Sequence, residues 1–154
     1  MIISKTPYRI SFFGGGSDYP SWYLKEGGAV LSTTIDKYIY ISCRYLPPFF
    51  KHKYRIVWSH IEQVKKIDQI KHIAVKEMLK LYNINDGLEI HYDGDLPARS
   101  GMGSSSVFVV GLMNLLHNFN KKRISKKNLA EKSIYFEQEI LNEVVGSQDQ
   151  IAAS

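Results

Sequence analysis

A loop rich in glycine and serine, at residues 97–106, constrains the fold of this chain more than any other segment. It follows a strand-like run at 88–92 and leads directly into an apolar, helix-like run at 107–116. A loop in that position gathers backbone N–H groups at a helix start, where the helix dipole favours negative charge. Its glycines let the main chain approach a ligand closely, and its serine hydroxyls can face a phosphate-bound cation. The pattern therefore predicts a binding site for the phosphates of a nucleotide.

Two common phosphate-binding motifs do not match this loop. No Gly-Lys-Ser or Gly-Lys-Thr follows its glycines, as a Walker loop requires. The glycine spacing also differs from that of the dinucleotide-binding fingerprint. A capped helix start that binds no ligand is the alternative interpretation, and the loop alone leaves both open.

Length and composition indicate a soluble globular domain. The 154 residues suffice for one domain with a sizeable core, and 44% of them are hydrophobic. The single cysteine, Cys43, alternates with apolar residues, so we expect a buried thiol in a reducing compartment. The chain starts with a strand pattern rather than a signal peptide, and no apolar run approaches the ~20 residues that span a bilayer. We therefore expect a cytoplasmic protein with no membrane partner.

The net charge of +5 does not decide between partners. It suits a lysine-rich solvated surface, a nucleic acid or an anionic small substrate equally well. The tyrosines mostly alternate within strand patterns, which is typical of sheet packing, so we do not expect nucleic acid as a partner. The five histidines show no metal-ligand spacing. The oligomeric state is left open, a homo-oligomer included.

Hydrophobic periodicity predicts an α+β fold. Strand patterns cover 1–13, 29–45, 54–58 and 88–92, and helical patterns cover 68–82, 104–119 and 125–142. Strands come first and helices later, an order that favours helices packed on one face of a mixed sheet. The last residues resemble a helix still in progress, so we expect this chain to be the N-terminal part of a longer protein.

One carboxylate lies on the apolar face of the third predicted helix. That face carries Ala130, Ile134, Ile140, Leu141 and Val144. Glu137 has the same spacing, and a buried carboxylate is costly unless it is paired or binds a cation. A partly exposed glutamate, or one paired with Lys132, is the alternative. Periodicity alone leaves both open.

A second carboxylate, Asp149, lies twelve residues after Glu137, shortly after Gly146. Taken alone, it is explained as an acidic residue in the first turn of another helix, where the dipole favours it. Together with Glu137 and the serine loop, Asp149 forms a candidate binding site. Two carboxylates and several hydroxyls are able to surround Mg²⁺ and the γ-phosphate of ATP.

Three segments, in this order, resemble the galactokinase, homoserine, mevalonate and phosphomevalonate (GHMP) kinase superfamily. The first is 5–19, where Pro7 and Arg9 precede a Gly-Gly-Gly-Ser-Asp turn. The second is the loop at 97–106, with the order Pro-x-x-x-Gly-x-Gly-Ser-Ser. The third is 137–150, which ends in Gly-x-Gln-Asp-Gln. Together with 27–38, they are most similar to D-glycero-D-manno-heptose 7-phosphate kinases.

The resemblance implies an α+β domain like the second domain of ribosomal protein S5. Residues 1–154 would form the N-terminal, ATP-binding domain, and a C-terminal domain of the superfamily would be absent from this sequence. The implied activity is ATP- and Mg²⁺-dependent phosphorylation of the anomeric hydroxyl of a heptose 7-phosphate, for nucleotide-activated heptose and surface glycans. A fucose- or galactose-type sugar kinase, or a truncated module that binds sugar or nucleotide without catalysis, is the alternative.

The resemblance also implies roles for individual residues. Asp149 would accept or orient the proton of the sugar hydroxyl, with Arg9 beside it as the second catalytic residue. Glu137 and the hydroxyl of Ser105 would bind Mg²⁺. Lys37, Arg44 or Arg99 could contact a second phosphate on the substrate.

Two larger groups of residues would bind the nucleotide and the sugar. The implied nucleotide site comprises Pro97, Arg99, Ser100, Gly101, Met102, Gly103, Ser104, Ser105 and Ser106. The implied sugar site comprises Arg9, Gly15, Gly16, Ser17, Asp18 and Asp149.

Overall fold

The computed structural model describes residues 1–98 and 100–154, and a single five-stranded sheet organises them. The strands are β1 (Ile2–Phe13), β2 (Leu31–Tyr45), β3 (Tyr54–Val57), β4 (Ile61–Val64) and β5 (Leu88–Gly94). The helices are α1 (Pro20–Glu26), α2 (Ile73–Leu81), α3 (Ser104–Phe119), α4 (Lys126–Tyr135) and α5 (Gln148–Ala153). The strand order is β1-β2-β5-β3-β4, in which β3 and β5 are parallel and the other pairs antiparallel. The predicted α+β class and mixed sheet are confirmed.

The four predicted strands are present, but two short elements were not predicted. Helix α1 buries none of its seven residues, so it has no apolar face for periodicity to detect. Strand β4 has only four residues. The helix predicted at 68–82 begins at Ile73 instead, because Ile67–Gln69 forms a 3₁₀ turn.

Helix α3 lies in the middle of the core and packs against β1 and β2. It is buried on nearly all sides, as its sequence predicts. Gly111 sets how closely it approaches β1, because a Cβ there would lie 2.7 Å from Oγ1 of Thr6 and 3.5 Å from Oγ of Ser4. A glycine facing two small residues therefore sets the distance between the middle of α3 and β1.

The ladder between β1 and β2 is irregular beside Arg9. Pro7 pairs with Tyr38 and Arg9 with Thr34, so the extra residues of this bulge lie in β2. On β1, two successive side chains are buried at this point, where a regular strand would alternate. Tyr8 is fully buried in the core, and Arg9 is 9% exposed and reaches the loop before α3.

The helix predicted at 125–142 is interrupted. Ser125 caps α4 by accepting a hydrogen bond from the backbone N of Asn128 at 3.2 Å, as predicted. The α-helix ends at Tyr135, and Phe136–Ile140 forms a π-turn. A π-turn shifts the helical face by one residue. The predicted apolar face is therefore wrong at Val144, which is 87% exposed.

The single cysteine is buried and unpaired, as predicted. Burial raises the pKa of the Cys43 thiol to about 12, so this thiol is unreactive. Across residues 1–98 and 100–154, no helix has both the length and the apolar character that crossing a membrane requires.

A charge cluster covers the sheet face that points away from the core. Leu88 and Ile90 are in the core, so the alternation of β5 places Glu89 on the other face, where its side chain is only 3% exposed. Glu89 accepts hydrogen bonds from Arg44 on β2, from Arg55 on β3 and from His91. Burial alone would raise the pKa of Glu89, but the bonds from His91 and Arg44 outweigh it and lower that pKa.

We expect Glu89→Gln to lower the free energy of unfolding at neutral pH by about 2 kcal/mol, since two arginines lose their charged partner. A carboxyl group whose pKa is lower in the folded state stabilises above its unfolded pKa of 4.5 and loses that contribution as the pH falls. Urea titration at several pH values measures both effects. Glu131→Gln is the control, because its 3.9 Å contact with Lys127 is exposed. Equal losses for both variants would contradict this account.

Candidate functional site

The start of α3, the start of α5 and the strand β1 converge on one small cleft. The cleft has a volume of about 370 Å³. Gly101 and the serines of α3 line one side, and Gly146 and Asp149 line another. Gly101 and Gly103 both have positive φ angles, 76° and 75°, so the loop bends sharply before the helix begins.

Gly103 allows the start of α3 to touch Asp149. A Cβ on Gly103 would lie 2.6 Å from Oδ2 of Asp149, so a side chain there would push that carboxylate out of place. The left-handed backbone at Gly103 favours glycine independently. The glycine-rich loop and Asp149 are therefore in direct contact, although 46 positions separate Gly103 from Asp149 (149 − 103).

Arg9 bridges the loop and Asp149. Its Nε donates a hydrogen bond to Oδ1 of Asp149 at 2.6 Å, and its Nη1 donates to the carbonyl oxygen of Gly101 at 2.9 Å. The two side chains are 11% and 18% exposed, so the ion pair is shielded from solvent. Arg9 and Asp149 lie side by side, as the family resemblance implies.

Glu137 lies under the start of α3 and is completely buried. Ser106 Oγ donates to its Oε1 at 3.0 Å, and Gln150 Nε2 donates to its Oε2. Gln150 Nε2 also lies 3.2 Å from Ser106 Oγ, which closes a three-membered network. Of the two alternatives that periodicity left open, Glu137 is therefore the buried carboxylate, and its partners are neutral side chains rather than Lys132.

Burial raises the pKa of Glu137 to about 7, and the hydrogen bonds from Gln150 and Ser106 offset only part of that effect. Nearby Glu143 and Asp149 raise the pKa further. No ion pair with a lysine, arginine or histidine is found for Glu137 among the residues outside position 99. A divalent cation would balance this charge, and hydroxyl and carboxylate oxygens suit Mg²⁺.

The three serines of α3 differ in their surroundings. Ser106 is buried against Glu137, whereas Ser105 is exposed and Ser104 half-buried on the wall of the cleft. In the described part of the chain, no group of three or more His, Cys, Asp or Glu side chains could hold a metal ion by itself. A cation here would therefore also need oxygens from water or phosphate.

The glycine turn after β1 is a closely packed structure. Ser17 Oγ donates to the carbonyl oxygen of Gly14 at 2.7 Å and accepts from the backbone N of Ala29 at 3.2 Å. A Cβ on Gly14 would lie 1.9 Å from the carbonyl oxygen of Ala29, so the turn and the strand entry touch. The Ser17 hydroxyl, predicted to bind the sugar, is thus hydrogen-bonded within the protein.

A larger cleft of about 740 Å³ opens beside this turn. Its wall includes Ser17, Asp18, Gln148 and the hydroxyl-bearing residues at 32–34. The cleft is neutral apart from Asp18, since its other described lining residues carry no charged side chain. Such a wall suits a polyhydroxylated ligand.

The structure thus brings most of the predicted site residues together, but not all. Arg44 belongs to the Glu89 cluster, and Lys37 is exposed on β2; neither lines the two clefts as far as their walls are described. Met102 packs against the core, and Pro97 is exposed. Arg99 lies outside the described residues.

The sequence patterns did not reveal Gln148 and Gln150. Both occur in the Gly-x-Gln-Asp-Gln motif on either side of Asp149. Gln150 reaches Glu137 and Ser106, and Gln148 lines both clefts. Their contacts are with residues far away in the sequence, so local periodicity carries no signal for them.

We expect Glu137→Gln to stabilise the chain in the absence of divalent cations. The pKa of Glu137 is about 7 in the folded state against 4.5 for the free group, so the fold loses stability as the pH rises from about 4.5 to about 7, and the loss is constant above that. The gain in unfolding free energy should be larger by about 2 kcal/mol near pH 8.5 than near pH 5.5. Chemical denaturation at both pH values measures it. A gain that does not change with pH would contradict the buried, uncompensated carboxylate.

Comparisons with known proteins agree with this geometry. Residues 66–154 match the family described as GHMP kinases N terminal domain, which is more than half of the chain. The D-glycero-alpha-D-manno-heptose 7-phosphate kinase of Campylobacter jejuni is 28% identical over 167 residues, covering 99% of this chain and 48% of that protein. The galactokinase of Pyrococcus furiosus is 30% identical over 156 residues, covering 98% of this chain and 43% of that protein.

A solved structure shares the fold. The D-glycero-D-manno-heptose 1-phosphate kinase from Bacteriodes thetaiotaomicron superimposes with a TM-score of 0.85 at 22% identity, covering 99% of this chain and 53% of that one. This chain therefore spans about half the length of the relatives it matches. The sequence match and the shared fold establish that the chain belongs to the GHMP kinase N-terminal domain family.

Proposed function

We propose that this chain is the ATP-binding part of a sugar kinase that transfers the γ-phosphoryl group of ATP to a sugar hydroxyl. One observation carries the proposal: the Arg9–Asp149 ion pair lies against a glycine-rich helix start, beside the buried carboxylate of Glu137. Phosphoryl transfer needs these parts, which are phosphate-binding N–H groups, a cation site and a carboxylate near the acceptor hydroxyl.

The ATP phosphates would bind at the start of α3. The backbone N–H groups at 103–106 begin a helix, and the first N–H groups of a helix have no carbonyl partner within it. The helix dipole adds to their attraction for an anion. The hydroxyls of Ser104 and Ser105 line the same cleft and would complete the phosphate site, with the loop residues from Pro97 onward around it.

Glu137 and Ser105 would hold Mg²⁺ beside these phosphates. Glu137 fits that role because it is a buried carboxylate whose hydrogen-bond partners are neutral. When bound, Mg²⁺ would neutralise negative charge on the phosphates. Ser106 and Gln150 orient the carboxylate, so its position does not depend on the cation.

Asp149 would act on the sugar. Its carboxylate lines the cleft next to the phosphate site and is fixed by Arg9 on one side and by Gly103 on the other. From there it would accept or orient the proton of the attacking hydroxyl. Arg9 would stabilise negative charge that moves during transfer.

The sugar would lie over the glycine turn, in the larger cleft. Gly28 leaves part of the wall there without a side chain, and the hydroxyls at 32–34 provide hydrogen-bonding partners. Gly15, predicted for the sugar site, lines a neighbouring cleft with Arg9 and Gln148 instead. Ser17 and Asp18 form part of the wall. A neutral, hydroxyl-rich wall suits the ring of a sugar better than its phosphate.

For the substrate we propose D-glycero-D-manno-heptose 7-phosphate, phosphorylated at the anomeric hydroxyl for surface glycan synthesis. The relative from Campylobacter jejuni, which carries that name, supports this choice. The galactokinase relative supports a galactose- or fucose-type kinase as the second candidate. The relatives are about twice as long, which supports a C-terminal domain as the source of further contacts to a substrate phosphate.

We expect Asp149→Asn to abolish phosphotransfer while the chain still binds Mg·ATP. The amide cannot accept the proton, so turnover should fall by roughly 10²–10⁴-fold. Calorimetry with Mg·ATP and a coupled ADP assay with a panel of sugars and sugar phosphates measure the two properties. Asp86→Asn, in an exposed turn, is the control for loss of a carboxylate.

Three results would each contradict a different part of the proposal. No Mg·ATP binding by the wild-type chain would remove the nucleotide site. Binding without turnover on any sugar would favour the non-catalytic module. Full turnover by Asp149→Asn would show that the Asp149 carboxylate takes no part in phosphoryl transfer.

A further inference from the structure

Asp18 connects two distant parts of the chain. It lies in the glycine turn after β1 and is 7% exposed. Its Oδ2 accepts a hydrogen bond from the backbone N of Gln148 at 3.0 Å, and its Oδ1 lies 3.5 Å from Nε2 of the same residue. Its carbonyl oxygen accepts from the backbone N of Ser147 at 3.2 Å. The carboxylate of Asp18 therefore contacts the residue that directly precedes Asp149.

The surroundings of Asp18 are shaped to fit it. A Cβ on Gly146 would lie 1.9 Å from Oδ2 of Asp18, so only glycine fits there. On the other side, the backbone N of Gly16 donates to Oδ1 at 3.0 Å. Backbone groups of both segments thus enclose the carboxylate.

Helix α5 needs an external cap of this kind. It has six residues, and helices this short are not stable in water by themselves. Its N-cap residue, Ser147, makes no capping hydrogen bond with its side chain. Asp18 accepts from the first N–H of the helix instead, and its negative charge suits the positive end of the helix dipole.

We infer that Asp18 is a positioning residue: it fixes the start of α5 and, through it, the Asp149 carboxylate. The inference rests on the proposed function where it concerns the role of Asp149. The contact between Asp18 and the start of α5 does not depend on that function. Three donors from the protein already occupy the two carboxylate oxygens of Asp18. Asp149 has one oxygen paired with Arg9, and Asp149 and Asp18 both line the cleft at the helix start.

Hydrogen exchange tests the contact without any need for activity. In Asp18→Asn, one of the backbone donors at Gly16 and Gln148 loses its acceptor, because an amide offers a single oxygen. Exchange of the amides at 147–151 should accelerate by at least about tenfold relative to wild type. The exposed-turn variant Asp86→Asn should leave it unchanged.

A double-mutant cycle shows whether the effect runs through this contact. Gly146→Ala adds a methyl group that collides with the Asp18 carboxylate and should also accelerate exchange at 147–151. In an Asp18→Ala background that collision is absent, so the same substitution should have little further effect. Additive effects of the two changes would overturn the inferred contact.

Kinetics separate positioning from sugar binding. Misplacement of Asp149 should lower kcat of Asp18→Asn by on the order of 10–100-fold, with KM for the sugar nearly unchanged. A rise in KM at constant kcat would mean that Asp18 binds the sugar, which overturns the inference. If the wild-type chain binds no Mg·ATP, the proposed function fails, and the exchange results still decide whether Asp18 positions α5.

Discussion

A carboxylate buried without a cationic partner is the constraint on which the rest of the site depends. Glu137 is held by two neutral donors, Ser106 at the start of α3 and Gln150 in α5. Its burial costs free energy, and that cost is reduced only while all three segments stay together. The network fixes the two helices relative to each other. Asp149, next to Gln150, then lies against the glycine loop with Arg9 between them.

Glycines that face side chains at close range make this arrangement sterically feasible. Gly111 lets α3 approach β1, Gly103 lets the helix start approach Asp149, and Gly146 leaves room for Asp18. A side chain at any of these positions would collide with an atom less than 3 Å away. The irregular pairing of β1 with β2 lies beside Arg9. The missing Cβ atoms thus leave room for the hydroxyl of Thr6 and for the carboxylates of Asp149 and Asp18.

The sequence predicts the parts of this structure that depend on local pattern. Helix α3 was placed correctly because it is apolar on nearly all sides, and Ser125 was identified as a cap from its residue type. The π-turn after α4 was missed, because a single inserted residue leaves no periodic signal. The roles of Asp18 and Gln150 were not foreseen either, because they depend on contacts with residues distant in the sequence. Their partners are 130 and 13 residues away, and only the folded chain brings them together.

The central claim is that the helix start at 103–106 is a nucleotide-phosphate site. Amide chemical shifts of the ¹⁵N-labelled chain, followed during titration with Mg²⁺ and a non-hydrolysable ATP analogue, test it most directly. We expect the largest shifts at the backbone N–H groups of Gly101 and 103–106, with smaller ones at Gln150. Shifts confined to other surfaces, or none at saturating nucleotide, would contradict it.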